Sequence, residues 1–137
     1  MRFSILMALT PMVLGLTTLA GAARAESCED LTKAAVPGAV ITTAKVVAIG
    51  EPQEIGTFGI PPLPAAQAYC RIDATLSPTP NSSIRVEVWL PSPSAWNGKL
   101  LASGNGGYGG SLGGPRLTMR AALHRGYATA GTDLGHS

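Results

Sequence analysis

Leu100-Leu101-Ala102-Ser103-Gly104-Asn105-Gly106-Gly107-Tyr108-Gly109-Gly110 decides how this chain is read: a short apolar run passes directly into seven residues of which five are glycine. The apolar run reads as a buried strand, and a strand entering so many glycines brings bare backbone N–H groups close to whatever lies beyond it. Further on, Pro115 suits a first helical position, Leu117 to Arg125 are good helix formers, and Gly126 suits the position just past a helix end. Tyr127-Ala128-Thr129-Ala130 then reads as a short strand, followed by the loop Gly131-Thr132-Asp133-Leu134-Gly135-His136-Ser137. Strand, glycine loop, helix and strand make a βαβ unit, so this half of the chain predicts a parallel sheet of α/β architecture.

Upstream, the pattern changes to period two. Ile84, Val86, Val88 and Leu90 alternate with Arg85, Glu87 and Trp89, which places the apolar set on a core and the other face toward solvent or a neighbouring layer. Pro91-Ser92-Pro93-Ser94 stops that strand, and Trp96-Asn97-Gly98 turns the chain into the next. The β-branched run 40–49 and the segment 68–76 read as two earlier strands, and this first half predicts antiparallel pairing. Residues 28–36 read as a short helix ended by Pro37-Gly38. The segment 50–67, with Pro52, Gly56, Gly59, Pro61, Pro62 and Pro64, reads as an irregular loop.

The first 25 residues predict a cleaved secretory signal: Arg2 supplies a positive start, residues 5–16 an apolar core, and Ala23-Arg24-Ala25 a small-x-small exit. Thr10, Pro11, Thr17 and Thr18 interrupt the apolar run, which disfavours a membrane anchor. Without Arg2 and Arg24 the remaining chain carries eight basic and eight acidic side chains. No basic excess is left to support a nucleic-acid or anionic-membrane partner. Export to a secreted or periplasmic location favours joining Cys28 to Cys70, the only cysteines. Closing that loop of about 40 residues restricts the unfolded chain by about 3 to 4 kcal/mol in the loop-entropy treatment. A zinc site is the rival, but two cysteines without a nearby histidine pair fall short of four ligands.

Two chemistries need a strand that ends in bare amides. One is an oxyanion hole, which holds the negative oxygen of a tetrahedral intermediate. The other is a dinucleotide site, which holds a pyrophosphate. Gly104-x-Gly106-x-x-Gly109 is a literal GxGxxG, and Asp133 follows about two dozen residues later, close to the Rossmann spacing. Export argues against a nicotinamide cofactor, and a helix beginning near Pro115 starts too late to aim its N-terminus at a phosphate held by Gly109. A third reading is a tight packed turn in a small secreted binding module.

Tyr69-Cys70-Arg71, the strand 84–91, Trp96-Asn97-Gly98-Lys99, Gly104-Asn105-Gly106-Gly107 and Arg125-Gly126-Tyr127-Ala128 through Thr132-Asp133-Leu134-Gly135-His136 together resemble the N-terminal blocks of the tannase and feruloyl esterase family. That family consists of secreted serine esterases of the α/β-hydrolase fold. The resemblance implies that residues 26–137 are the N-terminal portion of such a catalytic domain, with an incomplete sheet, and that the substrate is a small phenolic or aromatic ester. It implies a catalytic serine on a strand-to-helix elbow, and an aspartate and a histidine, all downstream of this chain; neither a Gly-x-Ser-x-Gly elbow nor a Cys-Ser pair is expected here. It also implies a calcium ion in a lid domain outside this segment, with no cofactor or metal in the segment itself. Gly106 and Gly107 match the oxyanion donors supplied by the loop after an early strand, and Asn105, Asp133 and His136 are expected near the site.

Asp133, His136 and Ser137 lie too close together in one loop to stack as a triad. Asp133 is expected to cap or orient its loop, and His124 to sit solvated at the helix C-terminus. Trp89 and Trp96 read as packing residues.

Overall fold

The computed structural model describes residues 27–56 and 59–135. The expected signal sequence and His136 therefore lie outside the described residues. After a 3-10 helix over Glu29–Lys33 come β1 (Ala39–Val47), β2 (Pro52–Gln53), β3 (Leu63–Pro64), β4 (Tyr69–Leu76), β5 (Ile84–Pro91), β6 (Leu100–Ser103), α1 (Gly113–His124) and β7 (Ala128–Thr132). The helix predicted over 28–36 is thus a shorter 3-10 turn, which ends where Ala34 becomes extended at φ −67° and ψ 125°. The loop expected to lack regular structure contains one small pairing, β2 with β3, in which Pro52 faces Pro64 and Gln53 faces Leu63.

The main sheet has the order β1-β4-β5-β7-β6. As expected, β1, β4 and β5 pair antiparallel, while β6 and β7 run parallel. The crossover through α1 sets β7 between β5 and β6, where it pairs antiparallel with β5 from Val86 opposite Thr132 to Trp89 opposite Thr129. An irregularity between Ile41 and Thr43 shifts the β1 register, and the Thr42 hydroxyl at that point donates to the Asp73 carbonyl at 2.9 Å. Helix α1 begins two residues before Pro115, which sits within the first turn where its missing N–H costs nothing. It ends as expected: Gly126, at φ +80°, takes the left-handed conformation that turns the chain into β7.

The alternation of β5 is as expected, but the burial falls on the other face. Glu87 and Trp89 are fully enclosed, whereas Ile84, Val86, Val88 and Leu90 are only half-buried. The reason is the placement of α1, whose Met119 and Leu123 pack with Val47, Ala65, Tyr69 and Trp89 into one core. Tyr69 and Trp89 meet there with ring centroids 4.9 Å apart. Glycine at 131 is what lets the helix approach: a Cβ there would stand 2.7 Å from both Met119 Sδ and Pro115 Cβ. On the opposite face, Leu76, Ile84, Val86, Ala102 and Ala130 line an open apolar hollow of about 370 Å³.

Glu87 keeps its buried place through charge pairing. It accepts from Trp89 Nε1 at 2.6 Å and from Arg116 Nε at 2.8 Å, and Arg71 Nε lies 3.1 Å away. Arg116 also donates to the Glu54 carbonyl at 3.0 Å, and Arg120 donates to Gln53 at 2.7 Å, so the helix is tied to the segment before β3. Gln53 in turn donates to the Tyr69 hydroxyl. Burial pushes the Tyr69 phenol up to about 12 from its ordinary 10.0. Cys28 and Cys70 form a disulfide with Cα atoms 5.6 Å apart, which fastens the N-terminal turn to β4.

Candidate functional site

Because β6 and β7 run parallel, their carboxyl ends lie side by side, and the glycine loop and the Asp133 loop emerge from the same end of the sheet. In open α/β sheets this is where ligands meet the protein. The loop 104–112 divides into two halves of different character.

One half is packed. The Asn105 side-chain amide donates to the Thr132 carbonyl at 2.8 Å, and a Cβ placed on Gly109 would stand 3.2 and 3.3 Å from Asn105 Cβ and Cγ. The Gly109 amide closes a turn on the Gly106 carbonyl at 3.2 Å. The other half is open. A Cβ at Gly106 or Gly107 would meet nothing within 4 Å, and Gly107 has φ +60°, a conformation L side chains resist. Among the described residues, neither the Gly106 nor the Gly107 amide donates to a protein acceptor. Tyr108, between them and Gly109, is 99% exposed. The two donors named from the sequence therefore stand free at the end of the sheet.

Asp133 is fully buried at the end of β7 and faces the protein. It accepts from the Arg85 amide at 2.9 Å, Arg85 Nε at 2.7 Å and the Gly135 amide at 2.9 Å. Burial opposes its ionisation, but the Arg85 side chain and the two amides outweigh that and hold the carboxyl below its ordinary value. With both carboxylate oxygens engaged by Arg85 and Gly135, Asp133 shapes the loop, and Leu134 beside it is the one non-glycine residue at positive φ among those described. Trp89 is a core residue and His124 is exposed as the last residue of α1. Trp96 is half-exposed and donates to the Lys99 carbonyl at 3.0 Å.

No Gly-x-Ser-x-Gly elbow is expected in this chain, yet its spelling occurs. Gly109-Gly110-Ser111-Leu112-Gly113 matches the Gly-x-Ser-x-Gly pattern of a nucleophile elbow. An elbow needs the serine at a strained turn directly between strand and helix. Ser111 instead lies several residues beyond the end of β6, exposed in a bend and without positive φ, and His124 stands at the far end of the helix. Ser111 has the spacing without the geometry.

Sequence reasoning missed the Glu87–Arg116–Arg71 cluster, because a charged residue in an alternating strand reads as solvent-facing. The signal was there in part: Arg116 and Arg120 are spaced four apart on the helix and so share a face. Among the described residues no group of three or more His, Cys, Asp or Glu could hold a metal ion, and no helix is long and apolar enough to cross a membrane.

This sheet, with its antiparallel strands leading into a βαβ unit, is part of an α/β-hydrolase-like esterase fold. Feruloyl esterase B from Aspergillus oryzae superposes with a TM-score of 0.66 at 32% identity over 80% of this chain and 21% of that one. A second esterase structure from the same organism gives 0.66 at 26% identity. In sequence, the chain is 37% identical over 113 residues to a probable feruloyl esterase of Arthroderma benhamiae, covering 79% of this chain and 20% of that protein. It is 35% identical over 121 residues to an uncharacterized esterase of Xanthomonas campestris, covering 86% and 19% respectively. The family model "Tannase and feruloyl esterase" matches residues 70–137. The chain belongs to the tannase and feruloyl esterase family, and it spans about a fifth of the length of these curated relatives. Because the matched proteins are esterases, they do not favour the dinucleotide reading of Gly104, Gly106 and Gly109.

Proposed function

We propose that this chain is the N-terminal part of a secreted or periplasmic carboxylic ester hydrolase that cleaves phenolic or aromatic esters through a serine acyl-enzyme, with residues 1–25 as the signal sequence. Its contribution to the site is the oxyanion side. The observation that carries this reading is the open half of the glycine loop, where, among the described residues, Gly106 and Gly107 are unobstructed at the carboxyl end of the parallel strands and their N–H groups have no protein acceptor. The Cys28–Cys70 disulfide is in keeping with an oxidising compartment.

In the proposed reaction a serine Oγ attacks the ester carbonyl carbon while its proton passes to a histidine. The carbonyl oxygen takes up the electron pair as a tetrahedral oxyanion. Collapse expels the alcohol, which leaves with the proton from the histidine, and water then repeats the sequence on the acyl-enzyme. The serine, histidine and orienting acid belong to segments of the enzyme other than this one. Gly106 and Gly107 supply N–H donors at the oxygen, and glycine keeps side chains out of the way of the scissile carbonyl. A preorganised donor of this kind contributes about 3 to 4 kcal/mol to the transition state.

The test is Gly106→Val in the complete enzyme, assayed on methyl ferulate and p-nitrophenyl acetate. The space around Gly106 accommodates a side chain, so the protein keeps its thermal midpoint while turnover falls by about two orders of magnitude or more. Unchanged turnover sinks the oxyanion assignment. This chain alone, lacking nucleophile and base, releases no p-nitrophenol above a protein blank.

A further inference from the structure

We propose that Asn105 is the positioning residue of the glycine loop: its side-chain amide, hydrogen-bonded across to the end of β7, sets where Gly106 and Gly107 present their N–H groups. This deepens the esterase reading and rests on it. The loop has little else to hold it. Among the described residues, its polar contacts from 104 to 110 are the Asn105 Nδ2 bond to the Thr132 carbonyl and the turn from the Gly109 amide to the Gly106 carbonyl. The turn gives the loop a shape, and beyond the chain's own continuity with β6 the Asn105 bond is the polar contact among the described residues that ties it to β7.

The anchor point is rigid. Thr132 is paired with Val86 in the β5–β7 ladder. The next residue, Asp133, receives three hydrogen bonds, and its own amide donates to the Arg85 carbonyl at 3.1 Å. Asn105 is half-buried, with glycine backbone beside it. Gly109 admits no Cβ without crowding Asn105 at 3.2 Å, and a Cβ on Gly114, in the first turn of α1, would lie 3.7 Å from Asn105 Oδ1.

The five glycines of the loop therefore serve different ends. A Cβ on Gly109 would crowd the Gly106 carbonyl at 3.1 Å as well as Asn105, whereas among the described residues a Cβ on Gly106 or Gly107 would meet nothing within 4 Å. An asparagine is suited to the seat because its amide donates to a main-chain carbonyl and its short side chain is held by a single bond. An aspartate of the same shape has no hydrogen to donate and sets a negative oxygen against the Thr132 carbonyl.

The experiment compares Asn105→Ala and Asn105→Asp with the parent in the complete enzyme, measuring kcat and KM on methyl ferulate and the rate of inactivation by a p-nitrophenyl phosphonate. The phosphonate is a probe of the oxyanion donors. Both variants are expected to lose about ten- to a hundredfold in kcat and in inactivation rate, with KM within about twofold, since the donors act in the transition state more than in the ground state. In the same complete enzyme, the ¹⁵N order parameters of Gly106 and Gly107 fall in both variants while those of β7 hold. A kcat for Asn105→Ala within twofold of the parent overturns the proposal. So does an Asn105→Asp variant that behaves as the parent, because the seat would then be a matter of shape. If the complete parent enzyme cleaves no ester, the esterase reading fails instead, and the order parameters alone decide the latch: unchanged values refute it.

Discussion

Replacing Glu87 by glutamine tests the least expected feature of this fold, a fully buried carboxylate within a strand facing a helix. The amide keeps the shape and removes the charge. In the parent, Arg116 reaches Glu87 Oε2 through Nη2 at 2.8 Å and has no other carboxylate partner among the described residues, whereas Arg71 keeps Asp73 at 3.0 Å. Arg116 therefore bears most of the loss. Stripping one partner from a buried pair costs about 3 to 5 kcal/mol. The Arg116 and Arg71 side chains retain 16% and 22% of their exposure, so the guanidiniums keep some hydration and the lower end, about 3 kcal/mol, is expected. With a urea slope of about 1 to 1.5 kcal/mol per molar for a chain of this size, the midpoint drops by about 2 to 3 M. The assay is urea unfolding followed by the fluorescence of Trp89, whose indole N–H donates to Glu87 itself. A double-mutant cycle with Arg116→Met isolates the pair, and the double variant recovers much of the loss because no lone charge stays buried. A Glu87→Gln change below about 1 kcal/mol, or strict additivity in the cycle, refutes the reasoning.

Gly131→Ala forces a methyl into contact with Met119 Sδ and Pro115 Cβ; the sulfur can swing away but the proline ring cannot, so a loss of about 1 to 3 kcal/mol is expected in the same urea assay. Thr129 is fully buried and its hydroxyl has no hydrogen-bond partner among the described residues, so Thr129→Val stabilises by about 1 kcal/mol where an ordinary core threonine would not. The raised Tyr69 phenol makes the fold favour the neutral form. Its contribution is complete below the ordinary value of 10.0 and is lost as pH rises through about 12. Ultraviolet titration should show one tyrosine ionising late, and Tyr69→Phe should flatten that alkaline decline. The depressed Asp133 carboxyl has the opposite sign: its contribution is present above the ordinary value of 3.8 and is lost on further acidification, so Asp133→Asn removes that part of the acid limb.

Much of the candidate site's placement was legible because its geometry is local. Five glycines after an apolar strand, a proline inside the next helix and a glycine beyond it place the loop at the carboxyl end of β6 without reference to distant residues. What stayed hidden depends on partners far away in sequence. Asn105 gives no sign of its bond to Thr132, and the Gly-x-Ser-x-Gly spelling at 109–113 is indistinguishable on paper from a working elbow. Only the backbone conformation and the distance from β6 separate the two.

By itself, then, the sequence determined the main strands, helix α1, the antiparallel-to-parallel change and the glycine loop, because turn chemistry and two- or four-residue periodicities act over a few neighbouring residues. Only the tertiary structure decided which face of β5 is the inside. Periodicity says that Glu87 and Trp89 share a face opposite Val86 and Val88, but not which of the two the helix will cover. Arg116 and Arg71, contributed from elsewhere in the chain, make the charged face the buried one by neutralising it as it leaves water.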